Sequence, residues 1–434
     1  MKVLIVSNDF PPRSGGIQSF VHALAIRMPE GHVAVYAPAW PGAAEFDARQ
    51  PFPVFRHPTS LMLPVPSVAR RAASLLRQER CDTVLFGAAA PLGLLGPGLR
   101  RAGARRIVAL THGHEAGWAA LPGARWVLRR IGDDTDRLTY LGEYFRIRLS
   151  RVLSAEAAAR MVRLAPGVDT AAFRPGAGGG AVRERLGLGG RPVVVCVSRM
   201  VPRKGQDTLI RAWPQVLARL RTVARAGDLG PAGDLGPAGD LGRGGPAGGG
   251  GAGDHADVGS PAGGGGPVAA GRRAGRAHRA GEPVLLLVGD GPYRTALERL
   301  AARSPAAASI VFTGPVPWPD LPAYYDAADV FAMPCRTRRG GLDVEGLGIV
   351  YLEASATGLP VVGGDSGGAP DAILDGETGY VVPGRSVAAV AERISALLAD
   401  PGGAAAMGEK GMAWVDREWR WDQVASRLWQ ILAE

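Results

Sequence analysis

The strongest constraint on the fold is a regular alternation of short apolar runs with amphipathic segments. The first run, Val3–Val6, is followed by a loop that contains two adjacent glycines and then by an amphipathic segment at 17–28. A buried strand, a glycine turn and a helix, in that order, open a parallel sheet that is covered by helices on both faces. Three more apolar runs follow in this part of the chain, at 32–36, 83–86 and 106–110.

The same alternation starts again near Pro192. Repeated strand–helix units predict the α/β class, here with two doubly wound, Rossmann-like domains that face each other across a cleft. A helix is expected at 208–221, after the first strand of this series. The expected strands of the second series are 193–198, 283–289, 310–313, 330–333 and 360–362.

The stretch Pro166–Gly180 is rich in proline and glycine and is typical of a hinge between domains. We therefore predict an N-terminal domain at 1–165 and a C-terminal domain at 166–413. The last segment, 414–434, carries four tryptophans at helical spacings. It predicts a terminal helix that packs back on the first domain.

Residues 223–281 interrupt the second series with a tandem GDLGPA repeat and runs of glycine. Glycine does not occupy every third position, which excludes a collagen-like helix. The segment has too few large apolar side chains to offset the entropy lost on folding. We predict a disordered insertion that catalysis does not need.

The positive charge is concentrated in the first domain. The chain of 434 residues has a formal net charge of +10, and residues 1–165 hold 22 Lys and Arg against 12 Asp and Glu. This excess favours an anionic partner, although a solvated arginine surface explains it as well. Nucleic acid is disfavoured because no aromatic side chains are interleaved with the basic ones. The candidate contacts to an anionic membrane are Arg70, Arg71, Arg77, Arg80, Arg125, Arg129 and Arg130.

The cysteine count and the apolar segments indicate the compartment. Three widely spaced cysteines make a disulfide framework or a structural zinc site improbable, which favours a reducing compartment. The N-terminal apolar run is too short for a secretory signal. The apolar stretch at 81–99 contains Asp82 and prolines and favours strand–turn–helix over a membrane span. We expect a cytoplasmic protein, either soluble or peripheral on a membrane.

The most informative motif is EGLGIVYLE, in which Glu345 and Glu353 are eight residues apart. A helix is expected to begin near Ile349, after the turn that ends at Gly348. The free N–H groups of Gly348, Ile349 and Val350 at that helix start suit a diphosphate. Glu353, one turn into the helix, is placed to accept hydrogen bonds from ribose hydroxyls, and Glu345 from a sugar hydroxyl.

Two further loops follow predicted strands and supply groups suited to an anionic ligand. Arg199 and Lys204 lie on the loop after the strand at 193–198, where two cations would neutralise a departing diphosphate. Gly15 and Gly16 follow the first strand and let a ligand approach the backbone. The full GxGxxG fingerprint is absent from this loop, which disfavours an NAD site.

The loop THGHE follows another strand and contains His112, His114 and Glu115. Two histidines at i and i+2 on an irregular loop form a poor chelate, so we predict no zinc site here. Polar loops beyond the carboxyl ends of parallel strands face the crevice of an open α/β sheet. His112 is therefore a candidate to touch a donor sugar or to orient an acceptor hydroxyl.

Taken together, these motifs resemble the retaining GT-B glycosyltransferases of family 4, over nearly all of the chain outside 223–281. In that family the R-x4-K pair binds the nucleotide diphosphate, a role that falls here to Arg199 and Lys204. The first and second glutamates of E-x7-E contact the donor sugar and the ribose, which implies Glu345 and Glu353. The histidine at a strand end, matching His112, lies near the hydroxymethyl group of the sugar.

The segment 333–382, with NDFPPRSGGIQSF and THGHEAGW, is similar to the branch of this family that extends phosphatidylinositol mannosides in actinobacteria. The resemblance implies GDP-mannose as donor, a lipid-linked inositol mannoside as acceptor, and activity on the inner face of the cell membrane. It also implies that 1–165 is the acceptor-side domain and 166–413 the nucleotide-sugar-binding domain. A family 4 enzyme with another sugar nucleotide and another lipid or soluble acceptor fits the motifs equally well. No DxD motif accompanies the site, so no metal is expected.

Overall fold

The structure is a computed structural model, and it describes residues 1–113, 115–119, 121–228 and 281–434. Within these residues the chain forms two separate parallel sheets, of seven and six strands. This arrangement confirms the predicted α/β class with two doubly wound units. The strands are β1 Val3–Val6, β2 Val33–Pro38, β3 Val54–His57, β4 Thr83–Phe86, β5 Arg106–Ala109, β6 Arg137–Tyr140, β7 Met161–Arg163, β8 Val193–Val197, β9 Val284–Val288, β10 Ile310–Gly314, β11 Val330–Met333, β12 Val361–Gly364 and β13 Gly379–Val382.

The first sheet has the strand order β3-β2-β1-β4-β5-β6-β7. β1 is an interior strand of this sheet, where Ile5 pairs with Val35 on one side and Leu85 on the other, and its wholly apolar side chains suit burial on both faces. The second sheet has the order β10-β9-β8-β11-β12-β13, with the equally apolar β8 beside β9 and β11. In both sheets the order reverses next to the first strand, which opens a crevice at the carboxyl ends of the strands.

Helices connect the strands and cover both faces of each sheet. The described helices are α1 Gly16–Ala25, α2 Ala43–Asp47, α3 Pro66–Gln78, α4 Gly96–Arg101, α5 Glu115–Trp118, α6 Pro122–Asp134, α7 Glu143–Ser150, α8 Ala155–Ala159, α9 Gly179–Arg185, α10 Gln206–Asp228, α11 Arg294–Ala302, α12 Leu321–Asp326, α13 Ile349–Ala356, α14 Val387–Ala399, α15 Pro401–Glu418 and α16 Trp421–Ala433. Short 3-10 turns lie between some of them, among them Pro202–Lys204 and Ala369–Ala372. Among the helices of the described ranges, none is both long and apolar enough to cross a bilayer.

The predicted start of the insertion is wrong by several residues. We expected the second-domain helix to end at Arg221 and the insertion to begin at 223, but α10 continues to Asp228. Ala224, Arg225 and Ala226 favour helix and extend α10 into the first two residues of the GDLGPA repeat. The rest of the predicted insertion, 229–280, lies outside the described residues.

The C-terminal segment is divided between two helices, where the tryptophan spacing predicted one. α15 ends at Glu418, and its Trp414 belongs to the core of the second sheet. The chain then crosses over, and Val424 and Leu428 of α16 pack in the core beside β1 and α1. The predicted domain boundaries, 1–165 and 166–413, stay predictions.

Candidate active site

The candidate site lies where loops leave the carboxyl ends of β8 and β11 and approach each other. The loop after β8 contains Lys204, and the loop after β11 leads to Glu345. The two loops are joined by a backbone hydrogen bond of 2.8 Å, which the N–H of Arg336 donates to the carbonyl of Arg203. Gly205 completes this packing, because it adopts φ +78° and a Cβ there would collide with the carbonyl of Pro334.

Lys204 and Glu345 meet at the centre of the site. The ammonium Nζ lies 2.7 Å from the carboxylate Oε2, and the two side chains are only 11% and 7% exposed. Arg203 Nε is 3.9 Å from the same oxygen. A pair so poorly solvated is held by direct attraction that water screens little. The structure thus brings together two of the predicted residues that lie far apart in the chain.

Several buried polar atoms around this pair have unused hydrogen-bonding capacity. Within the described part of the chain, Arg203 Nε, Gln206 Oε1 and Glu345 Oε2 take part in no hydrogen bond of good geometry. The contact between Lys204 and Glu345 is therefore an ion pair that leaves the acceptor capacity of Oε2 open. Buried polar groups are nearly always satisfied in native proteins. A cluster of such groups beside two cations is typical of a site for a polar, anionic ligand.

Helix α13 begins directly after Gly348, as the motif predicted. Gly348 has φ +78° and its Cβ position would overlap the ring of Tyr351, so this turn requires glycine. Ile349 and Val350 occupy the first turn, where backbone N–H groups have no partner within the helix. Those N–H groups, with the positive end of the helix dipole, provide a place for phosphate oxygens.

Glu353 lies one turn into α13 and accepts a hydrogen bond of 2.7 Å from the hydroxyl of Tyr325. Burial of the carboxyl group raises the pKa of Glu353 to about 7, while the Tyr325 hydrogen bond and the charge of Lys204 act in the opposite direction. The carboxyl group therefore changes its charge close to neutral pH.

Arg199 is exposed at the end of β8, and within the described residues its guanidinium makes no ion pair or hydrogen bond. Its carbonyl accepts a hydrogen bond of 3.1 Å from Gln206 Nε2, which also donates to Ser198 Oγ. The backbone of the loop is thereby held by hydrogen bonds, while the cationic side chain is exposed to solvent. Arg199 and Lys204 differ in this respect, although the motif treats them alike.

The first sheet contributes His112 and the glycine loop from the opposite side. His112 Nε2 lies 2.6 Å from the carbonyl of Gly87, and because a carbonyl only accepts, Nε2 carries the proton. The carbonyl oxygen of His112 lies 3.9 Å from the position that a Cβ on Gly346 would take. The two loops therefore face each other across the crevice between the sheets.

Gly15 and Gly16 lie at the N-terminus of α1, which reaches the same edge. Gly15 precedes the helix and Gly16 is its first residue. Both are exposed, and no described atom lies within 4 Å of a Cβ position on Gly16. Phe20 of this helix contacts the His112 ring edge to face, with 5.6 Å between the ring centroids. The open glycine surface thus adjoins the histidine loop.

The motifs missed three groups that the structure places in the site. Arg203, next to Lys204, forms ion pairs with two carboxylates. Its Nη1 lies 3.3 Å from Asp343 Oδ1, and its Nε lies 3.9 Å from Glu345 Oε2. The remaining two are Gln206 and Tyr325, both almost fully buried. The position of Gln206 two residues after Lys204 was a usable signal for it, whereas nothing in the sequence connects Tyr325 with Glu353.

Comparison with known families assigns the chain to a class. Residues 14–172 match the model described as Glycosyltransferase Family 4, and residues 276–414 match Glycosyl transferases group 1. The protein belongs to the family 4 glycosyltransferases, which have the GT-B fold.

Curated relatives cover almost the whole chain. A GDP-mannose-dependent alpha-(1-6)-phosphatidylinositol monomannoside mannosyltransferase of Mycolicibacterium smegmatis is 47% identical over 99% of this chain and 98% of its own length. A protein of Corynebacterium glutamicum is 38% identical over 99% of this chain and 97% of its own, and is named for the monoacylated form of the same acceptor.

Solved structures with low sequence identity share the fold. An Anabaena protein in complex with UDP and glucose is 16% identical with a TM-score of 0.70, covering 100% of this chain and 99% of its own. Sucrose-phosphate synthase of Thermosynechococcus elongatus is 18% identical with a TM-score of 0.68, covering 99% and 98%. Both confirm the GT-B architecture that the two sheets define.

Proposed function

We propose that this glycosyltransferase moves mannose from GDP-mannose to a phosphatidylinositol mannoside, with retention of the anomeric configuration. The observation that carries the proposal is the convergence of Lys204, Glu345 and the start of α13 at one crevice. These groups provide a cation, a carboxylate and free backbone donors, which a sugar diphosphate needs. Two curated relatives align with this chain over 98% and 97% of their own lengths, and their names support the choice of donor and acceptor.

In this proposal the donor lies between the two sheets. The diphosphate is bound by the N–H groups of Ile349 and Val350 and by the cations Arg199 and Lys204. Glu353 accepts hydrogen bonds from the ribose, and Glu345 turns from Lys204 toward a hydroxyl of the mannose. The exposed turn Gly15–Gly16 and His112 close the other side of the sugar.

The proposed transfer is a front-side displacement at the anomeric carbon. The bond from that carbon to the β-phosphate oxygen breaks while the acceptor oxygen forms its bond on the same face. The acceptor proton passes to the departing phosphate, and GDP leaves. Lys204, Arg199 and the start of α13 stabilise the charge that grows on the phosphate as this happens. We infer that these groups make a metal dispensable, so activity should survive EDTA.

The donor and acceptor are tested with a panel of radiolabelled sugar nucleotides and lipid extracts. We expect transfer from GDP-mannose to a phosphatidylinositol mannoside, and an α-linked product by NMR. Transfer from a uridine sugar to a soluble acceptor would overturn the choice of both substrates. A β-linked product would overturn the retaining mechanism and leave the substrates in place.

We also propose that the first domain docks on an anionic membrane. Helices α3, α4 and α6 pack in one core cluster on one side of the first sheet, while α1 and α16 pack on the other. All seven candidate arginines are exposed. Arg80, however, lies beyond the end of α3 with φ +53°, so it does not share a helical face with Arg70 and Arg77. Exposed arginines near an anionic surface each contribute on the order of 1 kcal/mol.

Exposed apolar side chains lie close in the chain to both groups of arginines. Leu61 and Leu63 are about half exposed, and Met62 between them is buried. Asn8, two residues after the end of β1, holds the backbone of Met62: its Nδ2 donates a hydrogen bond of 2.9 Å to the carbonyl, and its Oδ1 accepts one of 2.7 Å from the N–H. Leu121 and Trp126, at the start of α6, are 61% and 65% exposed. Leucine and tryptophan flanked by arginine suit the boundary between headgroups and acyl chains.

Co-sedimentation with vesicles tests this surface. We expect binding to phosphatidylinositol vesicles that falls with salt, and a several-fold loss in the double variant Leu121→Ser, Trp126→Ser. The matched control is Trp318→Ser, since Trp318 is 54% exposed on the second domain. Equal binding to neutral vesicles, or equal losses in both variants, would contradict the proposal. We infer that the protein acts peripherally, on the inner face of the cell membrane.

A further inference from the structure

A tyrosine below the site holds one of the two glutamates of the motif. Tyr325 lies on α12, its side chain is fully buried, and its hydroxyl donates a hydrogen bond of 2.7 Å to Glu353 Oε2. The ring is fixed on two sides. It stacks on Phe331 with 5.7 Å between centroids, and Phe173 meets it edge-on at 5.5 Å.

This geometry leaves the hydroxyl only one role. Burial and the neighbouring Glu353 carboxylate raise the pKa of Tyr325 well above its ordinary value, so the hydroxyl keeps its proton and donates. The positive charge of Lys204, on the loop after β8, acts to lower the pKa of Glu353. Cys196 on β8 also faces Tyr325, and burial raises the pKa of its thiol to about 12, so it stays neutral.

One carboxylate oxygen of Glu353 is thereby anchored, and the other is left for the ligand. A glutamate has three side-chain torsions, and without an anchor it loses rotamer freedom each time a ligand binds. A hydrogen bond from a rigid, buried tyrosine removes that cost in advance. We propose that Tyr325 is a positioning residue for the donor nucleotide, which sets the Glu353 carboxylate to receive the ribose hydroxyls.

This inference rests on the proposed contact of Glu353 with the ribose. The test is calorimetric titration of the full-length protein with GDP at several pH values. Tyr325→Phe removes only the hydroxyl, and we expect about tenfold weaker GDP binding, as the loss of a hydrogen bond to a charged group gives. Because that hydrogen bond favours the ionised carboxylate, its loss should also shift the pH midpoint of GDP binding upward.

The neighbouring tyrosine provides a matched control. Tyr324 is also buried, but its hydroxyl accepts a hydrogen bond of 2.8 Å from Arg185 Nη2 on α9. Tyr324→Phe should leave GDP affinity within twofold and the pH midpoint unchanged. If Tyr325→Phe and Tyr324→Phe lower the melting temperature and GDP affinity alike, with no shift of the midpoint, the role of Tyr325 is only structural and the inference is wrong.

A second variant separates this inference from the proposed function. Glu353→Ala should weaken GDP binding strongly, and in that background Tyr325→Phe should change the affinity less than twofold. GDP binding that survives Glu353→Ala would overturn the ribose contact itself. If Glu353→Ala weakens binding and Tyr325→Phe does not, the ribose contact stands and the positioning role fails.

Discussion

Replacing Lys204 by methionine should affect stability and catalysis through one contact. Methionine has nearly the volume of lysine, so the change removes the charge and leaves the packing. Glu345 would then keep a carboxylate that is 7% exposed and has lost its partner at 2.7 Å. The nearest cation left is Arg203, whose Nε is 3.9 Å from the same oxygen.

The magnitude follows from that geometry. Removing one member of a buried ion pair costs about 3–5 kcal/mol, because the other charge stays buried. Both side chains keep some contact with water and Arg203 lies nearby, which lowers the cost. We therefore expect the free energy of unfolding to fall by about 2–3 kcal/mol. For a domain of this size the melting temperature should fall by roughly 5–10 °C. Transfer should fall by at least about 100-fold, as the loss of one charge-stabilising donor does.

The two effects can be measured independently. Thermal unfolding gives the stability, and transfer of labelled mannose to lipid gives the activity. Adding Glu345→Gln to the Lys204→Met variant removes the unpaired charge, so it should restore most of the lost stability and none of the activity. Lys410 lies exposed on α15, and Lys410→Met should change neither quantity.

Two results would refute this reasoning. An unchanged melting temperature in Lys204→Met would show that the ion pair does not stabilise the fold. Transfer at the wild-type rate would show that Lys204 does not stabilise the departing phosphate, whatever happens to stability.

Three further outcomes are expected. Glu353 has a pKa of about 7 and must be ionised to accept hydrogen bonds from the ribose hydroxyls, so GDP affinity should rise about tenfold from pH 6 to pH 8. Calorimetry in buffers of different ionisation heat should show release of a proton on binding at low pH. An affinity that does not change with pH would contradict this prediction. Asp371→Ala should lower the free energy of unfolding by about 1–2 kcal/mol in denaturant titrations, because the Asp371 carboxylate accepts hydrogen bonds of 3.1 and 3.2 Å from the N–H of Glu143 and so caps α7; an unchanged midpoint would count against the cap. Deleting 229–280 should leave transfer within a few-fold of the full chain, and loss of folding or activity would show that this segment is needed.

The sequence predicted the interior of the fold well and its margins poorly. Central strands such as β1 and β8 are buried on both faces, so they read as unbroken apolar runs. β6 and β7 escaped prediction because they lie toward one edge of the first sheet and are only partly buried, which admits arginine at their ends. β3 and β13 at other edges escaped for the same reason.

The candidate site shows the same division. Gly348 and the start of α13 follow from local conformation, and a motif read along the chain captures them. The contact between Lys204 and Glu345 joins residues on different loops, and only the pairing of β8 with β11 brings those loops together. Tyr325 cannot be found by local rules, because its hydrogen bond to Glu353 joins two helices whose residues lie 28 positions apart in the chain.

The crevice is shared between the two sheets through α7, and this explains why neither half contains a complete site. The Phe145 ring lies where a Cβ on Gly113 would be, in the loop that carries His112, and it also borders Gly368 of the second domain. Phe145 belongs to the core of the second sheet although its helix follows β6 of the first. A shift of one domain relative to the other must therefore displace the histidine loop or open a cavity around this ring, and close packing makes both costly. Contacts between the domains thus determine the position of His112 relative to Glu345. These contacts join residues that lie more than 200 positions apart in the chain, such as Glu143 and Asp371.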